Sequence, residues 1–476
     1  MKKRFILPYA TNDNTNDALV PEKWSLEALA LLYENSVALH LVHRDYDSEI
    51  AESGDVVNIH RPSKFTIGRI IDTESVTTQD ADTENIQVPL DQGLYVSFTI
   101  GSAEQSKSFK DLLTLHLAPA IRALSSGVDN ILLGQVMQFL PYNAGRLGNM
   151  SASTIHADIV SLRKVMQDNL VPLDGRNLIF TTNAEAFALN LDTFIEAHKV
   201  GDDGTALREA SIGRKFGFNI FTCQNMTSLA ASDVTTTAGS LDTAEALGQT
   251  VLSCTAAGDE TINHWLTVAG DDIPHMLIAT STGDTNTVWP ALKRAAIDTA
   301  VITHYTQCAV NQDLTTKAAG GTASVDGYRA GWHGAIEFDG SGTLVVGQMC
   351  TFGVTADDAT KAAALARYTV IAKPSATSVL LDRPLELAIA TNGIINPGPA
   401  GDYNFAFRRD AVAFVTRPFE APDASTGARS FVASSEDLSL RVTITWEGRD
   451  RGYLVVVDML SGVAVLDSVQ GAVLYG

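Results

Sequence analysis

The sequence predicts an α+β chain interrupted by an inserted β-rich domain. Three observations point to it: apolar residues at helical spacing from Ser108 to Phe139, period-two alternation between Gly54 and Ile100, and a Ser-, Thr- and Ala-rich stretch at Thr227–Gly239. That stretch opens a run of short β segments with Gly and Asp punctuation, which lasts to about Asn404 before a compact α/β pattern returns. With 476 residues, 45% of them hydrophobic, the chain can bury real cores. Its length suits roughly three ordinary domains.

The first twenty residues, including Thr11-Asn-Asp-Asn-Thr-Asn-Asp17, are too polar to order themselves and read as an arm. Trp24 to Tyr33 has helical apolar spacing with Pro21 near its start, which predicts a helix leading into Val42–Tyr46. Val56–His60, Phe65–Arg69 and Leu94–Ile100 read as strands, and the acidic, Thr-rich run Asp72–Glu84 as the tip of a long hairpin-like excursion. A two-stranded ribbon is marginal alone in water, so the excursion is expected to pack on something else.

Ser108 then caps a long amphipathic helix whose apolar residues are Phe109, Leu112, Leu113, Leu117, Ile121, Leu124, Val128, Ile131 and Leu132. Pro119 lies inside it and lacks a backbone donor. A kink is expected there, costing about 3 kcal/mol unless packing compensates. Thr154–Asn169 predicts a second helix, Asn177–Thr181 a buried strand, Ala184–Leu191 a short helix and Phe218–Thr222 another strand, a mixed α/β domain. Candidate strands of the insertion are Trp265–Val268, Leu344–Val346, Tyr368–Ile371 and Val379–Leu381, with Trp289–Ala300 readable as helical. Leu440–Trp446 and Tyr453–Val457 close a sheet, and no internal repeat of fixed period stands out.

A net charge of −21 argues against a gripped nucleic acid, because phosphate binding relies on clustered Lys and Arg, and no basic stripe occurs. It keeps copies soluble and mutually repulsive at low ionic strength, so any self-association should depend on salt. No stretch reaches the roughly 18 apolar residues of a membrane span, and Phe5-Ile-Leu7 is too short for a signal peptide, so the chain is expected to stay in the cytosol where it is made. Cys223, Cys254, Cys308 and Cys350 form no Cys-x-x-Cys pair and read as free, mostly buried thiols.

Catalytic contexts are missing. Gly340-Ser-Gly342 lacks nucleophile-elbow spacing, no phosphate-binding loop occurs, and the glycines of Gly320–Gly327 have neither a strand before nor a helix after them. His40 and His43 could share a helix face with Glu34 and Asp45 nearby, but zinc sites need three or four ligands at motif spacing. His264 and His275 read as satisfied or exposed imidazoles, and Asp91, Asp129 and Asp410 as carboxylates without an acid–base partner. The expectation is no enzyme, no cofactor and no metal site.

The order of segments resembles the major capsid proteins of tailed bacteriophages, specifically the podovirus coat proteins with an inserted β-rich domain. The resemblance is carried by Gly54-Asp-Val-Val-Asn-Ile59 before the excursion, Leu94–Ile100 leading into the helix with Ala118-Pro-Ala-Ile-Arg-Ala-Leu124, Ile212–Ile220, Phe407–Phe414 after the insertion, and Tyr453–Leu466 with Gly462-Val-Ala464. It implies an N-terminal arm over 1–54, an extended loop over 55–107, and a spine helix with peripheral-domain residues over 108–150. An axial domain over 151–226, the insertion over 227–404 and a return to axial and peripheral domains over 405–476 follow. The implied function is a shell subunit, found in the virion and in host cytoplasm during assembly.

The implied partners are copies of itself in hexamers and pentamers, a separate scaffolding protein and a portal at one vertex, with a decoration protein left open, and with no sequence-specific nucleic acid and no membrane. On the excursion, Arg61, Lys64 and Arg69 are expected to meet acidic surfaces of neighbouring copies, and Asp72, Glu74, Asp80, Asp82 and Glu84 basic ones. Some members of the wider fold crosslink a Lys in this loop to a neighbour's Asn, and Lys64 matches that only by position. Two other readings stand beside this one: a β-rich tail or receptor-binding component, which predicts no long kinked helix, and an enzyme with a dispersed site, which predicts a deep polar pocket.

Overall fold

The computed structural model describes residues 25–26, 28–32, 36–44, 56–61, 65, 67, 78–79, 84–101, 116–191, 212–226, 228–229, 236–255, 263–280, 285–305, 308–310, 327–338, 344–352, 366–390, 393–422, 428–435, 438–448 and 452–476. Strands β1 (Val56–Arg61), β2 (Glu84–Pro89) and β3 (Gln92–Gly101) precede helix α1 (Ala118–Gly134), which tightens into a 3-10 turn at Gln135–Phe139. Next come β4 (Asn143–Gly145), α2 (Ile155–Asp168), β5 (Arg176–Phe180), α3 (Thr182–Leu189), β6 (Arg214–Lys215), β7 (Phe218–Thr222) and β8 (Ser228–Leu229).

The β-rich stretch follows with β9 (Thr236–Leu241), β10 (Val251–Thr255), β11 (Trp265–Val268), β12 (His275–Thr280), β13 (Thr285–Trp289) and β14 (Val301–Tyr305). It continues with β15 (Cys308–Ala309), β16 (Gly327–Tyr328), β17 (Ile336–Glu337), β18 (Met349–Phe352), β19 (Tyr368–Ser375), β20 (Ser378–Leu381), β21 (Ile389–Ala390) and β22 (Ile394–Pro397). The chain ends with β23 (Gly401–Arg408), β24 (Val412–Arg417), β25 (Arg429–Ser435), β26 (Leu438–Glu447), β27 (Gly452–Val465) and β28 (Gly471–Tyr475).

The chain divides into two compact units, one drawn from Met1–Asn35, Gly93–Ser125 and Thr416–Leu460, the other from Ser36–Gln92, Ser126–Val415 and Ser461–Gly476. The first holds β25, β26 and the Gly452–Leu460 part of β27, which follow one another in a sheet, with β3 also paired to β27. Its core follows from period two: Leu440, Val442 and Ile444 of β26 and Val455, Val457 and Met459 of β27 are all buried, with Val442 opposite Val457 and Ile444 opposite Val455. Arg441 sits opposite Asp458 across the same strands, its Nε donating to Oδ1 at 2.9 Å while the guanidinium lies 5.1 Å from the Phe419 ring centroid.

The second unit is organised around a mixed seven-stranded sheet, β4-β28-β23-β5-β7-β6 with β8 on β23. β5 runs parallel to β7 and β28 parallel to β4, and β23 is antiparallel to both of its central neighbours. Helix α2 presents Ile155, Ile159, Leu162 and Met166, at i, i+4, i+7 and i+11, to a core with Leu178, Phe180, Phe218 and Leu474 from the sheet. Thr181 caps α3 by accepting from the Ala184 amide at 3.2 Å. These elements lie where the alternating pattern of residues 154–222 predicts them.

The β-rich stretch of this unit holds two separate constructions. β9–β14 close into a six-stranded barrel in the order β10-β13-β12-β11-β14-β9, filled by Leu241, Leu252, Leu266, Val268, Leu277, Val288 and Ile302. Closure leaves no unpaired strand edge. The barrel is tied to the segment after β4, where the Leu147 amide donates to the Asp272 carbonyl at 2.9 Å and Arg294 Nη2 to the Gly145 carbonyl at 3.1 Å. A second sheet, β15-β22-β18-β19-β20-β17, with the β16–β21 pair beside it, has its own core around Val310, Tyr328, Phe338, Cys350, Tyr368 and Val370.

Several expectations are corrected. Residues 344–346 form a turn entering β18 rather than a strand, because Gly347 adopts a positive φ of 85° and the Val345 amide is taken by Gln348 Oε1 at 3.0 Å. Residues 290–300 are not helical: their backbone pairs with the 241–249 segment, through Ala296 and Glu245 and through Leu292 and Gln249, so the barrel's closing link replaces helical hydrogen bonds. The strand paired with β1 is β2 at Glu84–Pro89, a polar segment outside the expected strands. Ser108 to Leu115, Thr66 and Gly68–Arg69 lie outside the described residues. Pro119 stands as the second residue of α1, directly after π-helical residues His116–Leu117, and the residues before His116 lie outside the described ones.

Candidate functional site

β1 and β2 form an antiparallel ribbon of six residue pairs, from Val56 opposite Pro89 to Arg61 opposite Glu84. One face is buried through Val57, Ile59 and Val88, whereas Val56, Asn58 and His60 are exposed. Asn85 Nδ2 donates to Asn58 Oδ1 across the exposed face at 3.1 Å. Beyond the paired residues, Phe65 is 63% exposed and Ile67 fully exposed, two large apolar side chains open to solvent among the described residues.

Of the sequence candidates on the excursion, Arg61 and Glu84 are placed opposite each other as the last register pair, with their side chains outside the described residues. Lys64, Arg69, Asp72, Glu74, Asp80 and Asp82 lie outside the described residues altogether.

The ribbon is anchored at its base, where β2 turns into β3 through Leu90 and Asp91. Gly462 of β27 lies so close to this corner that a Cβ there would stand 2.4 Å from the Pro89 carbonyl oxygen. Ser461 Oγ donates to the Gln92 carbonyl at 3.3 Å. Beside the corner is a cleft of about 320 Å³ lined by Asp91, Gln135, Gln138, Asp382, Arg383 and Glu386, with Pro89, Pro384 and Val463–Val465 as its apolar walls. The Asp382 carboxylate is wholly buried and accepts from the Thr369 amide at 2.8 Å, with Arg383 Nε 3.7 Å away. Burial pushes the carboxyls of Asp91 and Asp382 above their usual value. Sequence reading singled out only Asp91 of this set, because Asp382, Arg383 and Glu386 carry no motif and meet the corner only through the fold.

The isolated carboxylates have structural work. Asp129 of α1 is buried and accepts from Ser36 Oγ at 2.7 Å and from the Val37 and Ala38 amides at 3.1 Å each, fastening the 36–40 turn to the helix. Desolvation raises its carboxyl above the ordinary range, against the pull of those hydrogen bonds. Asp410 pairs with Arg408 at 3.1 Å and His43 at 3.9 Å. Buried His275 lies between Pro290 O, 2.8 Å from Nδ1, and Asp271 Oδ2, 3.1 Å from Nε2, which fix the ring's orientation.

Among the described residues no group of three or more His, Cys, Asp or Glu side chains could hold a metal ion, and Glu34 and Asp45, the other candidates beside His40 and His43, lie outside them. Gly340–Gly342 is also outside. Cys223, Cys308 and Cys350 are buried free thiols, with Cys223 pushed up to about 11 chiefly by burial. No described helix is long and apolar enough to cross a membrane.

No family model matches the chain, and no curated protein matches it. Among solved structures, a chain of Mycobacterium phage Che8 is similar over 92% of this chain and 90% of its own, at 11% identity and a TM-score of 0.41. A chain in the capsid structure of cyanophage P-SCSP1u is similar over 89% and 84%, at 9% identity and 0.41, and one in the asymmetric unit of the bacteriophage PhiM1 mature capsid over 93% and 87%, at 8% and 0.40.

Proposed function

We propose that the chain is the major capsid protein of a tailed bacteriophage, a structural subunit that assembles with copies of itself into an icosahedral shell around double-stranded DNA. The observation that carries the reading is the ribbon. Among the described residues it pairs six positions, and beyond them Phe65 and Ile67 are exposed in a single copy, an arrangement that gains packing against another copy. The segment order of the sequence supports the same reading, as do the buried apolar stripe of α1 and the structural roles of Asp129 and Asp410. On this reading 1–54 is the arm, 55–107 the extended loop, 108–150 the spine and peripheral region, 151–226 the axial domain, 227–404 the insertion and 405–476 the return.

The excursion's Arg61, Lys64 and Arg69, and its acidic run Asp72, Glu74, Asp80, Asp82 and Glu84, meet complementary charges on neighbours. Each such surface pair is worth about 0 to 1 kcal/mol but repeats at every contact. A scaffolding protein and a portal complete the partners, with a decoration protein an open addition, in the virion and in the host cytoplasm during assembly. Sedimentation velocity of the purified protein across a salt series tests this. Conversion from a slow subunit to a fast, uniform species as salt screens the −21 charge supports the reading, and a single slow species at every salt and with scaffold co-expressed overturns it. An Arg69→Glu variant that assembles with wild-type yield and salt dependence would remove the charge-pairing part alone.

A further inference from the structure

The barrel's closing link has two faces. β9 and β14 pair from Thr236 opposite Tyr305 to Ser240 opposite Val301, and the same antiparallel register runs on past the barrel. The Leu241 amide donates to the Ala300 carbonyl at 3.0 Å, Glu245 and Ala296 exchange backbone hydrogen bonds of 2.9 and 3.0 Å, and the Leu292 amide donates to the Gln249 carbonyl at 3.0 Å. One face closes the barrel: Leu241, Leu292, Ala296 and Ala300 join its core, and buried Glu245 accepts from the Ser253 amide at 2.9 Å. Opposed residues of an antiparallel pair share a face and successive residues alternate, so the pairs flanking Glu245–Ala296, Ala244 with Ile297 and Ala246 with Ala295, turn the other way. All four are exposed. Ile297 is 75% exposed, and Leu247 in the adjoining turn 68%.

This outward face carries opposite charges at its two ends. Exposed Lys293 lies two residues before Ala295, its backbone amide held by Asp271 Oδ2 at 3.0 Å. At the other end exposed Asp298 directly follows Ile297, and exposed Asp242 stands two residues before Ala244. The midpoint between Lys293 and Asp298 falls at Ala295–Ala296. A positive end, an apolar middle and a negative end disposed about that midpoint make the face complementary to itself under a twofold rotation.

We propose that the outward face of the closing link is a contact between two copies of the chain, apposed about a twofold axis that lies across the strands at the Ala246–Ala295 pair. Charge selects the occupant. Two copies of a chain with net charge −21 repel, so a face on which they meet must bring opposite charges of its own together. The antiparallel apposition sets Lys293 of each copy against the acidic end of the other, Asp298 and Asp242, and lays Ile297 of each over Ala295 of the other. The small side chains at the axis let the two backbones approach. This contact rests on the proposed function only for its place in a shell, whereas the pairing itself is a property of two copies.

Sedimentation equilibrium of the purified full chain, held just below the salt concentration at which larger species appear, tests the contact. The wild type should show a reversible monomer–dimer equilibrium. Lys293→Asp, Asp298→Lys and Ile297→Ser should each weaken it by about tenfold, the first two by turning an attraction made twice per dimer into a repulsion. The double variant Lys293→Asp/Asp298→Lys rebuilds that pair with reversed sign and should associate several-fold more tightly than either single one. These side chains are exposed, so urea midpoints should stay at the wild-type value; where one variant misfolds, Ala295→Asp, which sets like charges face to face at the axis, serves in its place. A wild type that stays monomeric at every concentration, a dimer indifferent to these single substitutions, or a double variant no tighter than the single ones overturns the proposal. Dimers without shells at any salt leave the contact standing and remove the shell reading, and shells from a chain whose dimer ignores Lys293→Asp remove the contact alone.

Discussion

Gly462→Ala isolates the ribbon's anchorage. The added Cβ would stand 2.4 Å from the Pro89 carbonyl oxygen, 3.1 Å from its carbon and 3.2 Å from Leu90 Cδ2. The first obstacle is backbone, so no rotamer change relieves it, and the oxygen must retreat by about 0.6 Å merely to reach the closest contacts that real Cβ atoms make. Taken up as a rotation over one strand spacing of about 4.8 Å, that is roughly 7°. Over the six residues of β2, at about 3.3 Å each, it swings the far end of the paired ribbon by about 2.5 Å. Overpacking of this kind costs about 1 to 3 kcal/mol. Urea denaturation followed by far-UV circular dichroism should show the midpoint falling at unchanged slope, and light scattering should show assembly lost at salt concentrations where the wild type assembles. Wild-type stability together with wild-type assembly would refute the view that this close approach sets the ribbon's position.

Asp129→Ala removes the acceptor for one hydroxyl and two amides of the 36–38 turn and should cost about 3 kcal/mol in urea denaturation, with Asp129→Asn costing less. Because burial raises the Asp129 carboxyl, the wild type should gain stability relative to Asp129→Asn as pH falls through the range just above 3.8, measured by thermal melts across that range. Arg441→Met breaks a two-pronged pair with Asp458 and should lower stability by about 2 kcal/mol, with Asp458→Asn similar and the double variant less than additive. Native protein at mildly alkaline pH should leave Cys223, Cys308 and Cys350 unmodified by an aromatic disulfide reagent that titrates them all after unfolding.

What could be read in advance follows from the physics of each segment. α2 and β26–β27 bury one face each, so their periods of 3.6 and 2 are written in the residues that meet the core, and the paired strands Leu440–Trp446 and Tyr453–Val457 were legible for that reason. β2 was not, because Glu84-Asn-Ile-Gln-Val-Pro89 buries little beyond Val88 and reads as polar linker. The closing link 290–300 was misread because its apolar residues Leu292, Ala296 and Ala300 repeat every four positions, a helical spacing that here serves irregular backbone pairing at the barrel's end. The insertion's composition announced β structure but not that it would divide into a barrel and a separate sheet, since strand partnership depends on closure rather than on any one strand. The cleft at the ribbon's base was invisible, as Asp91 precedes the insertion and Asp382 lies within it, and only the fold brings them together.

Negative-stain electron microscopy of the purified protein, moved from low to moderate salt with a crowding agent and repeated with a scaffolding protein co-expressed, tests whether this chain builds a shell. Closed shells, tubes or curved sheets of uniform subunit spacing are the predicted result; discrete monomers or small rings under every condition would contradict it.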